Sequence, residues 1–156
     1  MAPTYPEFLA GLAQDDAAAV VALGSHIRLS RGDVLFDLGQ PADSLYVIEQ
    51  GQIALTLPLQ IRGHGEDILI EDRSTGQAVG WSALIPPHRF TLKATAPLDS
   101  RVVAFPRVAL TDHFAAHPAV GYVVMRNVAA MTGHRLQVFQ AMWLREMQRS
   151  VTLSGV

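Results

Sequence analysis

Arg31-Gly32-Asp33-Val34-Leu35-Phe36-Asp37-Leu38-Gly39-Gln40-Pro41-Ala42-Asp43-Ser44-Leu45-Tyr46-Val47-Ile48-Glu49-Gln50-Gly51-Gln52-Ile53 is the stretch on which the reading of this 156-residue chain turns. Short apolar runs, Val34 to Phe36 and Leu45 to Glu49, alternate in it with turn chemistry. Gly32, Gly39 and Gly51 each fall where one extended run gives way to the next, and glycine enters the positive-φ conformations of such turns without steric cost. The pattern predicts short strands joined by tight turns.

The same texture continues on both sides. Strands are expected at His26 to Leu29, Val34 to Phe36, Leu45 to Glu49, Ile53 to Leu57, Asp67 to Glu71, Phe90 to Ala96 and Arg101 to Phe105, at the spacing of all-β barrels and sandwiches. Before them, Phe8, Leu9, Leu12, Val20, Val21 and Leu23 recur at helical spacing, and Asp15 and Asp16 suit a helix start. After them, from Arg107, helical periodicity returns; Pro118 suits a first turn, and nothing stronger than Gly121 and Gly133 interrupts the helix up to about Arg149. The expected architecture is therefore α+β, mainly β. It is one domain over residues 1–156: amino-terminal helices at 6–25, a double-stranded β-helix (jelly-roll) barrel at 26–105, and carboxy-terminal helices at 107–149 ending in one long helix.

Composition bounds the function. The 49% hydrophobic share supplies a full core, and a net charge of −2 provides no general attraction for nucleic acid. There is no cysteine, which removes disulfides, thiolate metal sites and a cysteine nucleophile. Met1 to Ala10 lacks the pattern of a secretory signal, and no apolar run spans a bilayer. A cytoplasmic location without membrane contact is the expectation.

In order and spacing, Gly32-Asp33-x-Leu35-Phe36 followed by Gly39-x-x-Ala42-Asp43-x-Leu45-Tyr46-x-Ile48-x-x-Gly51 resembles the first half of the cyclic nucleotide-binding domain, the sensor fold of the catabolite-activator (Crp/Fnr-like) regulators, kinase regulatory subunits and gated channels. The resemblance extends over roughly Phe8 to Arg149. It implies a jelly-roll, a regulatory rather than enzymatic role in signal transduction, and a ligand held on a phosphate-binding cassette. In that cassette a Gly-Glu pair opens a short helix, whose amides hold the phosphate together with an arginine, while the glutamate accepts from the ribose hydroxyl.

The corresponding stretch here is Val79-Gly80-Trp81-Ser82-Ala83-Leu84-Ile85-Pro86-Pro87-His88-Arg89-Phe90-Thr91-Leu92-Lys93-Ala94. Gly80, Ser82 and Ala83 match the family; Trp81 stands at the glutamate position and His88 at the arginine position. Indole has only a donor and cannot accept from ribose, so Trp81 either fills the pocket or stacks on a base. His88 can meet an anion when protonated. Strand alternation puts His88, Phe90 and Leu92 on one side and Arg89, Thr91 and Lys93 on the other, although a tight Pro-Pro turn can release Arg89 from that parity. The candidate ligand-binding set is Gly80, Trp81, Ser82, Ala83, His88, Arg89 and Thr91. No cofactor is fixed by the residues; the resemblance implies a cyclic nucleotide or a related anionic ligand, and loss of ligand binding is the alternative.

Metal and catalytic readings find less support. His113 and His117 are four apart but have no carboxylate to complete a set. The segment from Arg62 to Asp67 resembles a fragment of a cupin metal motif but lacks the paired His-x-His, and is read as a flexible hairpin loop. No nucleophile elbow, paired acid-base carboxylates or Gly-x-x-x-x-Gly-Lys loop occurs.

The long helix carries two apolar stripes. Val124, Val128, Met131, Val138 and Met142 form one, interrupted by Arg135; Met125, Ala129, Leu136, Phe139, Trp143 and Met147 form the other. One covers the β-core, and the second predicts a homodimer through this helix, a single broad buried face in a monomer being the alternative. In the regulators a helix-turn-helix follows this helix; Ser150 to Val156 leaves no room for one, so no direct DNA binding is expected and output passes through an effector protein or a change of oligomer.

Overall fold

The computed structural model describes residues 6–155. The chain enters through a 3-10 turn at Glu7–Leu9, then α1 (Gln14–Val21), whose first turn holds Asp15 and Asp16 where the helix dipole favours negative charge. Phe8 and Leu9 are fully buried, and Phe8 meets Phe105 edge-on at 5.2 Å, which ties this entry to the β-core.

Eight strands follow: β1 (Ser25–Leu29), β2 (Val34–Phe36), β3 (Ser44–Gln50), β4 (Gln52–Ile61), β5 (His64–Ser74), β6 (Ala78–Val79), β7 (Lys93–Thr95) and β8 (Ser100–Pro106). They pair antiparallel in two four-stranded sheets, ordered β1-β8-β3-β6 and β2-β7-β4-β5. Leu45, Ile48 and Val102 from the first sheet and Ile53, Leu55 and Ala94 from the second belong to one buried cluster. The jelly-roll expectation holds with one loosening: both sheets are open, not closed into a barrel. Strands β2, β6 and β7 have only two or three residues each, too few to carry a ladder around the ends.

Two strands depart from their expected lengths. The hairpin does not loosen at residues 62–67: β4 and β5 stay in register down to Ile61 opposite His64, and Arg62 and Gly63 form the turn with φ of 50° and 82°. Positive φ at both central residues gives a two-residue turn whose twist matches the strands. Conversely, only Lys93–Thr95 of the expected Phe90 to Ala96 strand joins a regular ladder. Residues 88–90 pair instead with the loop at 39–42, Ala42 N–H donating to the His88 carbonyl at 2.8 Å and Phe90 N–H to that of Gln40 at 3.0 Å.

Two helices close the fold, α2 (Arg107–Ala116) and α3 (Pro118–Leu153). Pro118 begins α3, where its missing N–H costs nothing. Gly121 is required by close approach: a Cβ there would lie 2.8 Å from Phe114 Cβ on α2. With 36 residues, α3 is about 54 Å long. Its fully buried positions, Val120, Gly121, Val124 and Val128, all lie in the amino-terminal half.

Candidate functional site

The cassette begins where β6 ends. Gly80 takes φ +82°, and a Cβ on it would meet the Phe90 ring at 3.1 Å, so glycine is demanded by both backbone and space. The chain then makes the 3-10 turn Trp81–Ala83, with the Ala83 N–H donating to the Gly80 carbonyl at 3.1 Å. Ser82 and Ala83 are buried and Trp81 is half-buried against the core. Beneath the turn, the Phe90 ring stacks on Phe36 at 3.7 Å and 9°, and Phe36 continues to Tyr46 at 6.0 Å.

The cationic candidates are spoken for locally. His88, with φ +58°, turns its ring back so that Nδ1 lies 3.4 Å from the Ser82 carbonyl oxygen, the geometry of an imidazole N–H donating to it. Arg89 faces outward and donates from Nη1 to the Gly39 carbonyl at 2.9 Å. Phe90 and Leu92 are buried while Arg89 and Thr91 are exposed, as strand alternation requires. Gly80, Trp81, Ser82 and Thr91 do border one common space, together with Phe36, Leu55 and Phe90. That space amounts to about 10 Å³, no more than a single water needs.

Its remaining wall is Arg135 from α3, a residue legible in the sequence only as a break in an apolar stripe. The structure gives the reason for the break. Arg135 Nε donates to Glu71 Oε2 on β5 at 2.9 Å, and the other oxygen of Glu71 accepts from Arg73 Nη1 at 3.1 Å, with His134 Nε2 at 3.6 Å. Arg73 Nη2 in turn pairs with Glu7 and lies 3.3 Å from the Ala78 carbonyl. The side chains of Arg73, Arg135 and Glu71 are only 8%, 12% and 15% exposed. Burial lowers the Arg135 pKa from its ordinary value, opposed by the Glu71 charge and hydrogen bond; an arginine so paired stays cationic. Asn127 completes the junction, its amide donating to the carbonyls of Phe8 at 3.0 Å and Ala10 at 2.8 Å. Entry turn, β5 and α3 are thus locked together immediately beside Trp81, and a cavity of about 270 Å³ opens there.

Among the described residues no group of three or more His, Cys, Asp or Glu side chains is placed to hold a metal ion; the His113 and His117 rings stand 4.6 Å apart as a pair. No helix among the described residues is long and apolar enough to cross a membrane.

Comparison with known proteins accords with this geometry. A family model described as the cyclic nucleotide-binding domain matches residues 26–117. A solved structure of a protein assigned to cyclic nucleotide binding from Geobacter metallireducens is 26% identical, with a TM-score of 0.66 over 83% of this chain and 91% of that one. The amino-terminal domain of a transcriptional regulator from Streptomyces coelicolor is likewise 26% identical, with a TM-score of 0.69 over 82% and 89%. Among curated proteins, Glutaminase 2 of Bradyrhizobium diazoefficiens is 26% identical over 82% of this chain; the match spans 19% of that much longer protein.

Proposed function

This chain belongs to the cyclic nucleotide-binding domain family, and from that premise we propose that it is a cytoplasmic, non-enzymatic regulatory module whose cassette is shut to a cyclic nucleotide in the family's usual pose. The observation that carries this reading is the space of about 10 Å³ left under the cassette, with Trp81 on one side and Arg135 on the other. A nucleotide needs tens of times more room. Entry would require Arg135 to leave Glu71 and the Trp81 ring to swing out, and the two residues that recognise ribose and phosphate in the family are replaced by Trp81 and His88.

A second reading keeps the domain as a sensor of a small anionic ligand held by Gly80, Trp81, Ser82, Ala83, His88, Arg89 and Thr91. It is favoured by His88 and Arg89, each side chain held by a single hydrogen bond to a backbone carbonyl, which an anion can displace. Calorimetric titration with cyclic AMP, cyclic GMP and cyclic di-GMP separates the two. We expect no saturable heat from any of them; binding at micromolar concentration that disappears in His88→Ala and Arg89→Ala would overturn the closed reading in favour of the sensor.

In either case the output surface is α3. Its carboxy-terminal half exposes Leu136, Trp143, Leu144, Met147 and Val151, a continuous apolar strip at helical spacing. Its occupant in this reading is a second copy of the chain, because an isologous pairing covers the strip on both subunits at once. The glutaminase match, about a fifth of that protein, is consistent with such a module acting on an effector enzyme.

A further inference from the structure

On the other side of Trp81 and Arg135 from the cassette space lies the cavity of about 270 Å³ between the entry turn, β5 and α3. Its polar walls are Glu7, Glu71, Arg73, Asn127, His134 and Arg135; Trp81 and Met131 supply an apolar side. We infer that this cavity is a binding site for a small zwitterion, a molecule carrying one carboxylate and one ammonium group in the manner of a free α-amino acid.

Three observations support the assignment. The first is charge. Two carboxylates and two guanidinium groups face the cavity, so a net anion meets Glu7 and Glu71, a net cation meets Arg73 and Arg135, and only a ligand with both signs finds complementary partners throughout. The second is the set of unspent hydrogen bonds. Among the described residues, Arg135 engages only its Nε, leaving both terminal nitrogens of the fork without an acceptor. Arg73 spends both terminal nitrogens on Glu71, Glu7 and the Ala78 carbonyl, and its Nε is buried out of reach of the cavity, so the open fork is that of Arg135. Glu7 uses one oxygen for Arg73 and for the Ala78 N–H, and Asn127 spends its amide hydrogens on Phe8 and Ala10. Glu7 Oε2 and Asn127 Oδ1 therefore remain as acceptors. Donors on the arginine side suit a carboxylate, which pairs with a guanidinium fork in two parallel bonds; acceptors on the Glu7 and Asn127 side suit an ammonium, which only donates. The third is size: the volume falls just below the roughly 300–1,000 Å³ of sites for drug-sized ligands, which leaves room for a molecule of few heavy atoms.

The site lies within one chain and shares Trp81 and Arg135 with the cassette wall, so its test uses amino acids and single-charge probes, to which the cyclic nucleotide titration is blind. Trp81 borders the cavity, and the only other tryptophan is Trp143. In the full chain carrying Trp143→Phe, Trp81 is the single indole reporter, and glycine, alanine, glutamine and glutamate are titrated against it, with acetate and methylamine as single-charge probes. We expect at least one amino acid to shift Trp81 emission saturably with a dissociation constant below about 1 mM, acetate and methylamine to bind at least about tenfold more weakly (a tenfold step being the smallest clean discrimination), and Arg135→Met to lose the response while keeping its helical circular dichroism. Where Arg135→Met does not fold, Arg135→Lys serves instead, since it keeps the charge and loses the fork; the same weakening is expected. Equal affinity for acetate, an undiminished response in either variant, or no saturable response to any amino acid each overturns the assignment.

Discussion

Tyr46 shows how a single side chain records its surroundings. It sits half-buried at the end of the Phe90–Phe36–Tyr46 stack, and its phenol pKa is raised from the ordinary 10.0, first by burial and then by the Asp43 carboxylate, against a lowering hydrogen bond from Ser44. The folded protein therefore holds the proton more tightly than the unfolded chain. As pH climbs past about 10.0 the unfolded state loses its phenolic proton first, and the stability contributed by this group, complete below that pH, falls as pH rises toward the folded value. Denaturant midpoints measured between neutral pH and pH 11 are expected to decline less steeply in Tyr46→Phe than in the native protein; parallel curves contradict the assignment. Residue by residue, the sequence was readable where backbone rules dominate and opaque where partners arrive from afar. Gly80 was recognisable because it matches the glycine that opens the family's cassette, and the structure shows it at φ +82°. Arg135 was not, because its partner Glu71 lies on a strand far away in the chain, and an isolated arginine in an apolar stripe carries no sign of which carboxylate will meet it.

At the scale of elements, the most consequential join is that of β5 to α3. Glu71 holds two guanidinium groups, so removing it leaves Arg73 with Glu7 alone and Arg135 with no carboxylate partner. Breaking a buried pair from one side strands the other charge. Glu71→Ala is expected to lower the unfolding free energy by about 3–5 kcal/mol in urea denaturation, and Arg135→Met by clearly less, because Glu71 then keeps Arg73. Equal losses would mean that Arg73 and Glu71 do not form an independent pair. The strands themselves were largely visible as period-two runs, but their ends were set by pairing and not by local pattern. Beyond Leu57, β4 continues through Pro58, Leu59 and Gln60 because β5 offers a complete ladder opposite. Phe90 to Ala96 reads as one strand in sequence, yet the tight turn at Pro86 to His88 delivers residues 88–90 to the loop at 39–42, a contact that no local periodicity encodes.

Seen whole, the molecule is asymmetric along α3. One half is built into the core through Val120, Val124 and Val128; the other carries Leu136 and Trp143 at 60% and 63% exposure with no intramolecular cover. Sedimentation at micromolar concentration is expected to give a dimer for the native chain and a monomer for Leu136→Glu with Trp143→Glu. Amide exchange in that double variant should accelerate beyond Phe139 while residues 118–135 keep their protection, since the core contacts of α3 reach no further than Phe139. A native protein that sediments only as monomer removes the dimer. The unbroken course of α3 has a mechanical corollary. Its core-packed segment ends near Phe139, and the roughly 14 residues beyond it form a rod of about 21 Å. A tilt of about 10° of this rod sweeps its far end through about 4 Å. A small rotation of α3 about its core-packed segment is thereby amplified along the exposed length of the helix.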